Sequence, residues 1–396
     1  MKADYDLRKG ADRLETVPMS GIRVVMNKAA ALRAQGHDVI PFSAGEPGFN
    51  TPEPIKQATI RALEANQTHY SANRGQLSLR KAIAEKTLRD TGVSYDPETE
   101  ILVTCGGAEG LNDAIFCTVN PGDEVIVLKP AFINYESLVK ECGGVVVDVN
   151  LVAENNYEIC IKDIEKKITD KTKMLVINNP NNPTGAVYTK EQLAALCRLA
   201  VEHNFMILSD EMYSALTYDN TKFYSVASFP GMKEHAIIVN GFSKTYAMTG
   251  WRLGYVEAAK PLLDVMVKHH QYATTSLVTF AEEGAAEAMN LPETMAIVDD
   301  MCRQFDIRRK LMMEGLDRMP KLSYVPAHGA FYIMADVSGT GMDGETFADR
   351  LLHEKYVAVV PAICLGEHCG NFVRISFATD EAHIREGLRR MEEFLA

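Results

Sequence analysis

Four short segments carry residue types that could act together on one ligand. Ser243-Lys244 lies in the run Gly241-Phe242-Ser243-Lys244-Thr245-Tyr246-Ala247-Met248-Thr249-Gly250-Trp251-Arg252-Leu253-Gly254-Tyr255, which sets a lysine among small residues with an arginine eight positions later. The apolar stretch 237–239 precedes it, so the amine leaves a strand into a polar turn. There hydroxyls, backbone N–H groups and Arg252 could hold anionic oxygens. Asp210-Glu211-Met212-Tyr213 places a carboxylate and a phenol three positions apart, and 178–185, Asn-Asn-Pro-Asn-Asn-Pro-Thr-Gly, sets amides in a proline-fixed loop. Gly106-Gly107-Ala108-Glu109 joins a strand to a helix, where free N–H groups could cradle a phosphate. Each segment alone has a plainer explanation as a tight turn, a rigid loop or, for Asp210, a helix cap.

The elements around these segments give them a common direction. Apolar stretches at 101–104, 124–128, 145–147, 174–177, 205–208 and 236–239 alternate with helical patterns at 108–119, 133–142, 161–168 and 190–202. Strands apolar throughout that alternate with helices predict a mainly parallel sheet covered on both faces. All four chemical segments then follow strands, and ligands of open α/β sheets sit outside the carboxyl ends of strands. A further strand at 253–256 is expected at a different point in the sheet. Before this series come a helix at 21–35, an extended run at 38–42, the turn Ala44-Gly45-Glu46-Pro47-Gly48 and helices at 52–63 and 77–91. After it come a long helical region over 260–319, broken near 274 and 291–292, then strands at 330–335, 357–360 and 372–377 with helices at 345–355 and 381–395. The expected organisation is a large α/β domain over 46–290, a smaller α+β domain at 291–396, and an N-terminal segment, 1–45, supplying an arm and part of the smaller domain.

Bulk properties exclude several classes. With 41 basic and 53 acidic residues the formal charge is −12, which argues against nucleic-acid and polybasic membrane surfaces. No stretch approaches the ~20 apolar residues that span a bilayer, and the first residues show no apolar leader, so a cytoplasmic protein is expected. The eight cysteines form no Cys-x-x-Cys pair, and the loop holding Cys364, His368 and Cys369 reads as buried thiols, so no metal is expected.

The ligand class follows from elimination and fit. The first strand–helix turn of the series, at Gly106-Gly107, lacks the Gly-x-Gly-x-x-Gly start of a dinucleotide site, and there is no Gly-x-x-x-x-Gly-Lys-Ser/Thr element for a nucleoside triphosphate. A lysine with a carboxylate, a phenol and an asparagine suits pyridoxal 5'-phosphate: amine to aldehyde, carboxylate to ring N–H, donors to the 3′ oxygen.

The sequence resembles the class I aminotransferases, of fold type I among pyridoxal-phosphate enzymes. The resemblance rests on Gly45-Glu46-Pro47, 181–185 (Asn-Asn-Pro-Thr-Gly), Ser243-Lys244 through Gly254, and 371–377 (Asn-Phe-Val-Arg-Ile-Ser-Phe), and it spans residues 20–396. It implies a mainly parallel seven-stranded sheet between helices, with a smaller α+β domain built from both chain ends. It implies that Lys244 joins the cofactor aldehyde and moves protons, that Asp210 pairs with the ring nitrogen, and that Asn182 and Tyr213 bond the 3′ oxygen. Phe132 would stack on the ring, and Gly107, Ala108 and Glu109 would meet the phosphate through their backbone. Ser243, Arg252 and Tyr70 from a second subunit would complete the phosphate site, so a homodimer with shared sites is implied. Arg374 would clamp the substrate carboxylate beside Asn182 and Gly45.

The implied reaction moves an amino group from an L-amino acid of aspartate, aromatic or alanine type to a 2-oxo acid such as 2-oxoglutarate. Some aspartate-using relatives carry a lysine where this chain has Ala108, which turns the expectation away from strict aspartate preference. Ile22, Tyr332 and the segment His269-His270-Gln271-Tyr272 are candidate walls for a less charged side chain, with Arg23 able to add a charge. A carbon–sulfur β-lyase would use the same cofactor chemistry. A non-enzymatic effector-binding module would not need the full set around Lys244.

Overall fold

The computed structural model describes residues 10–396; the first nine positions of the N-terminal arm expected at 1–45 lie outside the described residues. Seven strands form the central sheet: β1 (Ile101–Thr104), β2 (Glu124–Lys129), β3 (Val145–Asn150), β4 (Thr172–Asn178), β5 (Met206–Asp210), β6 (Ala236–Gly241) and β7 (Gly254–Ala258). Their spatial order is β1-β7-β6-β5-β4-β2-β3. Only β7 runs against its neighbours, pairing antiparallel with both β1 and β6, whereas β2–β3, β2–β4, β4–β5 and β5–β6 are parallel. This is the mainly parallel seven-stranded sheet the sequence leads one to expect.

The apolar runs explain the layering. One sheet face packs Ile126, Leu175, Ile207 and Ile238 into one core, and the alternate residues Val125, Val127, Val176, Leu208 and Val239 pack into a second core on the other face. β3 departs from the expected pattern: as the edge strand it leaves Val145 47% exposed, because no further strand lies beyond it.

Helix ends follow local chemistry. The helix Lys190–His203 starts with a capping box in which Thr189 and Gln192 satisfy each other's backbone N–H groups. The helix Leu77–Thr91 stops at Gly92, whose left-handed φ of 76° suits glycine. The long helical region divides into Lys260–Ala273, Thr279–Ala288 and Pro292–Leu316, near both expected breaks.

A second, four-stranded antiparallel sheet comprises β8 (Ser323–Tyr324), β9 (Tyr332–Asp336), β10 (Val360–Pro361) and β11 (Phe372–Ser376) in the order β10-β11-β9-β8. Its core takes Ile40 and Phe42 from early in the chain together with Phe331, Ile375 and Leu388. The extended run expected at 38–42 is not a strand; it makes one parallel bridge, Ile40 to Val357, and the strand expected at 357–360 overlaps the observed β10 only at Val360. Apolar residues there are buried by packing rather than by a ladder.

Candidate active site

A cavity of about 520 Å³ opens at the carboxyl ends of the parallel strands. Gly107 and Ala108 reach it from the turn after β1, Phe132 and Tyr135 from the segment after β2, Asn182 from the loop after β4, Asp210 and Tyr213 from the end of β5, and Ser243 and Lys244 from the turn after β6. Arg374 enters from β11, and Gly45 and Ile22 from early in the chain.

Asp210 closes one end. Its Oδ2 accepts a hydrogen bond from the Tyr135 hydroxyl (2.7 Å) and its Oδ1 one from the Met212 N–H (3.1 Å). Burial pushes the carboxyl above its ordinary range, against those two donors and Lys244. An additional buried cation facing it would reverse that shift.

Lys244 Nζ donates to the Gly45 carbonyl. Burial lowers its pKa to about 8; Glu46 and Asp210 oppose the shift, while Arg374 and Arg252 add to it. The amine is therefore neutral more often near neutral pH than an exposed lysine, which favours it as a nucleophile or proton acceptor.

Arg374 is 2% exposed. Its Nη1 donates to Asn182 Oδ1 (3.0 Å), its Nη2 to the Ser43 carbonyl (3.3 Å), and its guanidinium lies 4.4 Å from the Tyr332 ring centroid. Its Nε is buried with no partner. A buried guanidinium with a free donor is suited to an incoming carboxylate, which takes two N–H groups at once. The Tyr332 and Tyr213 hydroxyls share a 3.1 Å hydrogen bond across the floor.

The opposite end suits an anion with several oxygens. Gly106 has φ +75°, and a Cβ there would meet Arg252 Nη2 at 2.5 Å. A Cβ on Gly254 would come within 2.5 Å of the Gly106 carbonyl carbon, so glycines let β7 and the helix Gly106–Thr118 approach. Arg252 donates to the Thr249 and Cys105 carbonyls (2.9 and 3.2 Å), which places its guanidinium at the start of that helix beside Ser243. Helix N-terminal N–H groups, a hydroxyl and a guanidinium are a phosphate-binding set.

The expected walls are partly corrected. Tyr332 and Ile22 line the cavity, but His269, His270, Gln271 and Tyr272 do not. His270 is fully buried behind the helix that opens at Gly106, against Glu109 and Asp113, and Tyr272 is 86% exposed. A helical periodicity alone does not say which neighbour a face meets. Glu109 is not among the lining residues either; its carboxylate turns back to the Cys105 N–H and to Thr274. Tyr70 is 86% exposed and lies outside this chain's cavity. Tyr135 and Met212 are site residues the sequence reading missed. Tyr135 carried a signal, a phenol in the first turn of the helix after β2.

Comparison with known proteins agrees with this geometry. The family described as aminotransferase class I and II matches residues 37–391. The chain belongs to that family. It is an aminotransferase with the architecture of fold type I pyridoxal-phosphate enzymes. Aromatic-amino-acid aminotransferase 2 of Thermococcus litoralis is 40% identical over 97% of this chain and 98% of its own length. The aspartate/prephenate aminotransferase of Thermus thermophilus is 41% identical over 97% of this chain and 98% of its own. The solved aspartate aminotransferase of Thermus thermophilus with maleate superposes with a TM-score of 0.94 at 40% identity, covering 98% of this chain and all of that one. Among the described residues of this aminotransferase, no helix is long and apolar enough to cross a membrane.

Proposed function

We propose that this aminotransferase uses pyridoxal 5'-phosphate held along the cavity, and moves amino groups between L-amino acids with aromatic or acidic side chains and 2-oxo acids such as 2-oxoglutarate. The observation that carries the reading is one cavity in which a lysine of lowered pKa, a buried carboxylate and a buried guanidinium with a free N–H face a common space. The cofactor supplies an aldehyde that condenses with amines and a ring that spreads the negative charge left at the substrate's Cα.

The chain's residues would divide the remaining tasks. Gly107, Ala108, Ser243 and Arg252 hold the phosphate. Asp210, oriented by Tyr135, keeps a proton on the ring nitrogen, and Asn182 and Tyr213 bond the ring oxygen. Phe132 offers a flat apolar face to the ring. Arg374 would grip the substrate carboxylate, and Lys244 would hold the cofactor through its aldehyde and, with Nζ free, serve as the base that takes the Cα proton.

Substrate breadth rests on the walls. Ile22, Met26, Leu111 and Ile133 make one side apolar, which suits an aromatic ring, and the exposed Arg23 at the rim could meet a second carboxylate. The names of the relatives span the same two chemistries. Tyr70 and the exposed Met19 and Tyr272 support a homodimer in which Tyr70 reaches the other copy's phosphate end. The division at 1–45, 46–290 and 291–396 and a cytoplasmic location remain part of this reading.

Initial rates with phenylalanine, tyrosine, aspartate and alanine against 2-oxoglutarate test it. Aromatic donors should match or exceed aspartate, with 2-oxo acid formed in step with glutamate. A preference for aspartate above about a hundredfold would sink the argument from the apolar wall, and release of pyruvate and ammonia from cysteine instead would identify a lyase.

A further inference from the structure

Behind the helix that opens at Gly106 lies a second cluster the reaction does not use. Glu109 and Asp113, four residues apart, share one face of the helix Gly106–Thr118, and His270 approaches from the helix Lys260–Ala273. His270 Nδ1 is 3.2 Å from Glu109 Oε1 and 3.8 Å from Asp113 Oδ2, and donor atoms of all three residues lie within 4.8 Å of one another. Asp113 and His270 are fully buried. Neither oxygen of Asp113 has a hydrogen-bond partner, nor does His270 Nε2, and His270 Nδ1 faces only the carboxylates of Glu109 and Asp113.

A proton cannot satisfy this arrangement. On His270 Nδ1 it reaches Glu109 at 3.2 Å, while the buried Asp113 carboxylate keeps only longer charge contacts, 3.7 Å to His269 Nε2 and 3.8 Å to His270 Nδ1, and no hydrogen bond. On Asp113 it exchanges that charge for a hydroxyl with no acceptor. An ion at the centre would serve all three donors together. Four-coordinate zinc with N and O ligands at ~2.0–2.1 Å sets its donors about 3.3 Å apart; Glu109 and His270 already stand at 3.2 Å, and Asp113, 3.8 Å from His270, must move inward. The Glu109 carboxylate is already oriented by the Cys105 N–H and the Thr274 hydroxyl, as supporting groups around a metal ligand would do.

We propose that Glu109, Asp113 and His270 form a structural site for a divalent transition-metal ion of the zinc type, with water as the fourth ligand. The ion pins the helix Gly106–Thr118 to the helix Lys260–Ala273. Its binding leaves both carboxylates ionised and displaces the proton from His270 Nδ1.

The test uses the purified holoenzyme, dialysed against chelator and reloaded with one equivalent per chain of Zn²⁺ or Co²⁺. The wild type should retain about one ion per chain, gain Tm with Zn²⁺, and show with Co²⁺ the intense visible bands of a four-coordinate ion. Asp113→Asn and His270→Gln should each weaken affinity at least about a hundredfold, and Thr274→Val, which spares the donors, about tenfold. Retention of no ion by the wild type, the weak bands of a six-coordinate ion, or unchanged affinity in the variants would overturn the proposal. If a donor variant fails to fold, the wild-type stoichiometry and cobalt spectrum with Thr274→Val still decide.

Discussion

Asp210 and Glu211 are adjacent, both are almost wholly buried, and they face opposite sides of the same strand end. Asp210 looks into the cavity with Lys244 and Arg374. Glu211 looks into a chamber with Lys86, Glu257, Tyr95 and Asn240. The chamber largely closes on itself: Glu211 accepts from Ser209 and Ser225 (3.0 and 2.8 Å), Glu257 from Thr87 (2.6 Å), and Lys86 pairs with Asp90 (2.8 Å). In the cavity, Arg374 keeps an unpartnered Nε and burial lowers the Lys244 pKa to about 8. Burial raises Glu211 to about 7 and Glu257 to about 8, so a displaced pKa does not by itself separate the two regions. The chamber keeps an unpartnered hydroxyl on Tyr95, whereas the cavity sets an unpartnered cationic donor, Arg374 Nε, in the same space as a lysine of lowered pKa, and that combination separates them.

The strongest way to break this comparison is Lys244→Ala. Amino transfer should fall at least about a thousandfold while Tm stays near wild type, as measured by single-turnover conversion of an amino acid. Normal turnover would remove Lys244 from the reaction. Arg374→Ala should lower kcat/KM for amino acids by about 10²–10³, the consequence of leaving a charge unpaired, and the loss should be far smaller for an amine lacking the carboxylate. Equal losses for both substrates would refute the clamp.

Tyr135→Phe should cost about tenfold in kcat, because Asp210 loses a hydrogen bond to its charged form and its raised pKa climbs further. The loss should deepen as pH falls, since low pH protonates Asp210. A flat pH profile would make Tyr135 a packing residue. The smallest effect is expected on the other side of the strand. A carboxyl raised from 4.5 to about 7 in the fold contributes stability below pH 4.5 and loses it as pH rises through about 7. Glu211→Gln should therefore leave kcat unchanged and Tm equal or higher at pH 8, and a large fall in kcat would show that the two sides are coupled.

Much of this was legible in the residue order. Alternating apolar runs predicted the sheet, because a strand covered on both faces must be apolar at every position. Lys244, Asp210, Asn182 and Arg252 could be singled out because each follows or flanks a strand end. Tyr135, Met212 and the true surroundings of His270 were not legible, since they depend on which helix lies against which.

By itself the sequence determined the strand and helix periods, the turns that end them and the set of chemical groups at the strand ends; these rest on local backbone preference and on the spacing of apolar residues. Tertiary structure alone decided that β7 inserts in reverse between β1 and β6, that Arg374 crosses from the second sheet to within hydrogen-bonding reach of Asn182, and that His270 meets Glu109 and Asp113 instead of substrate. Those contacts join positions up to 192 residues apart, and only packing of whole layers brings such positions together.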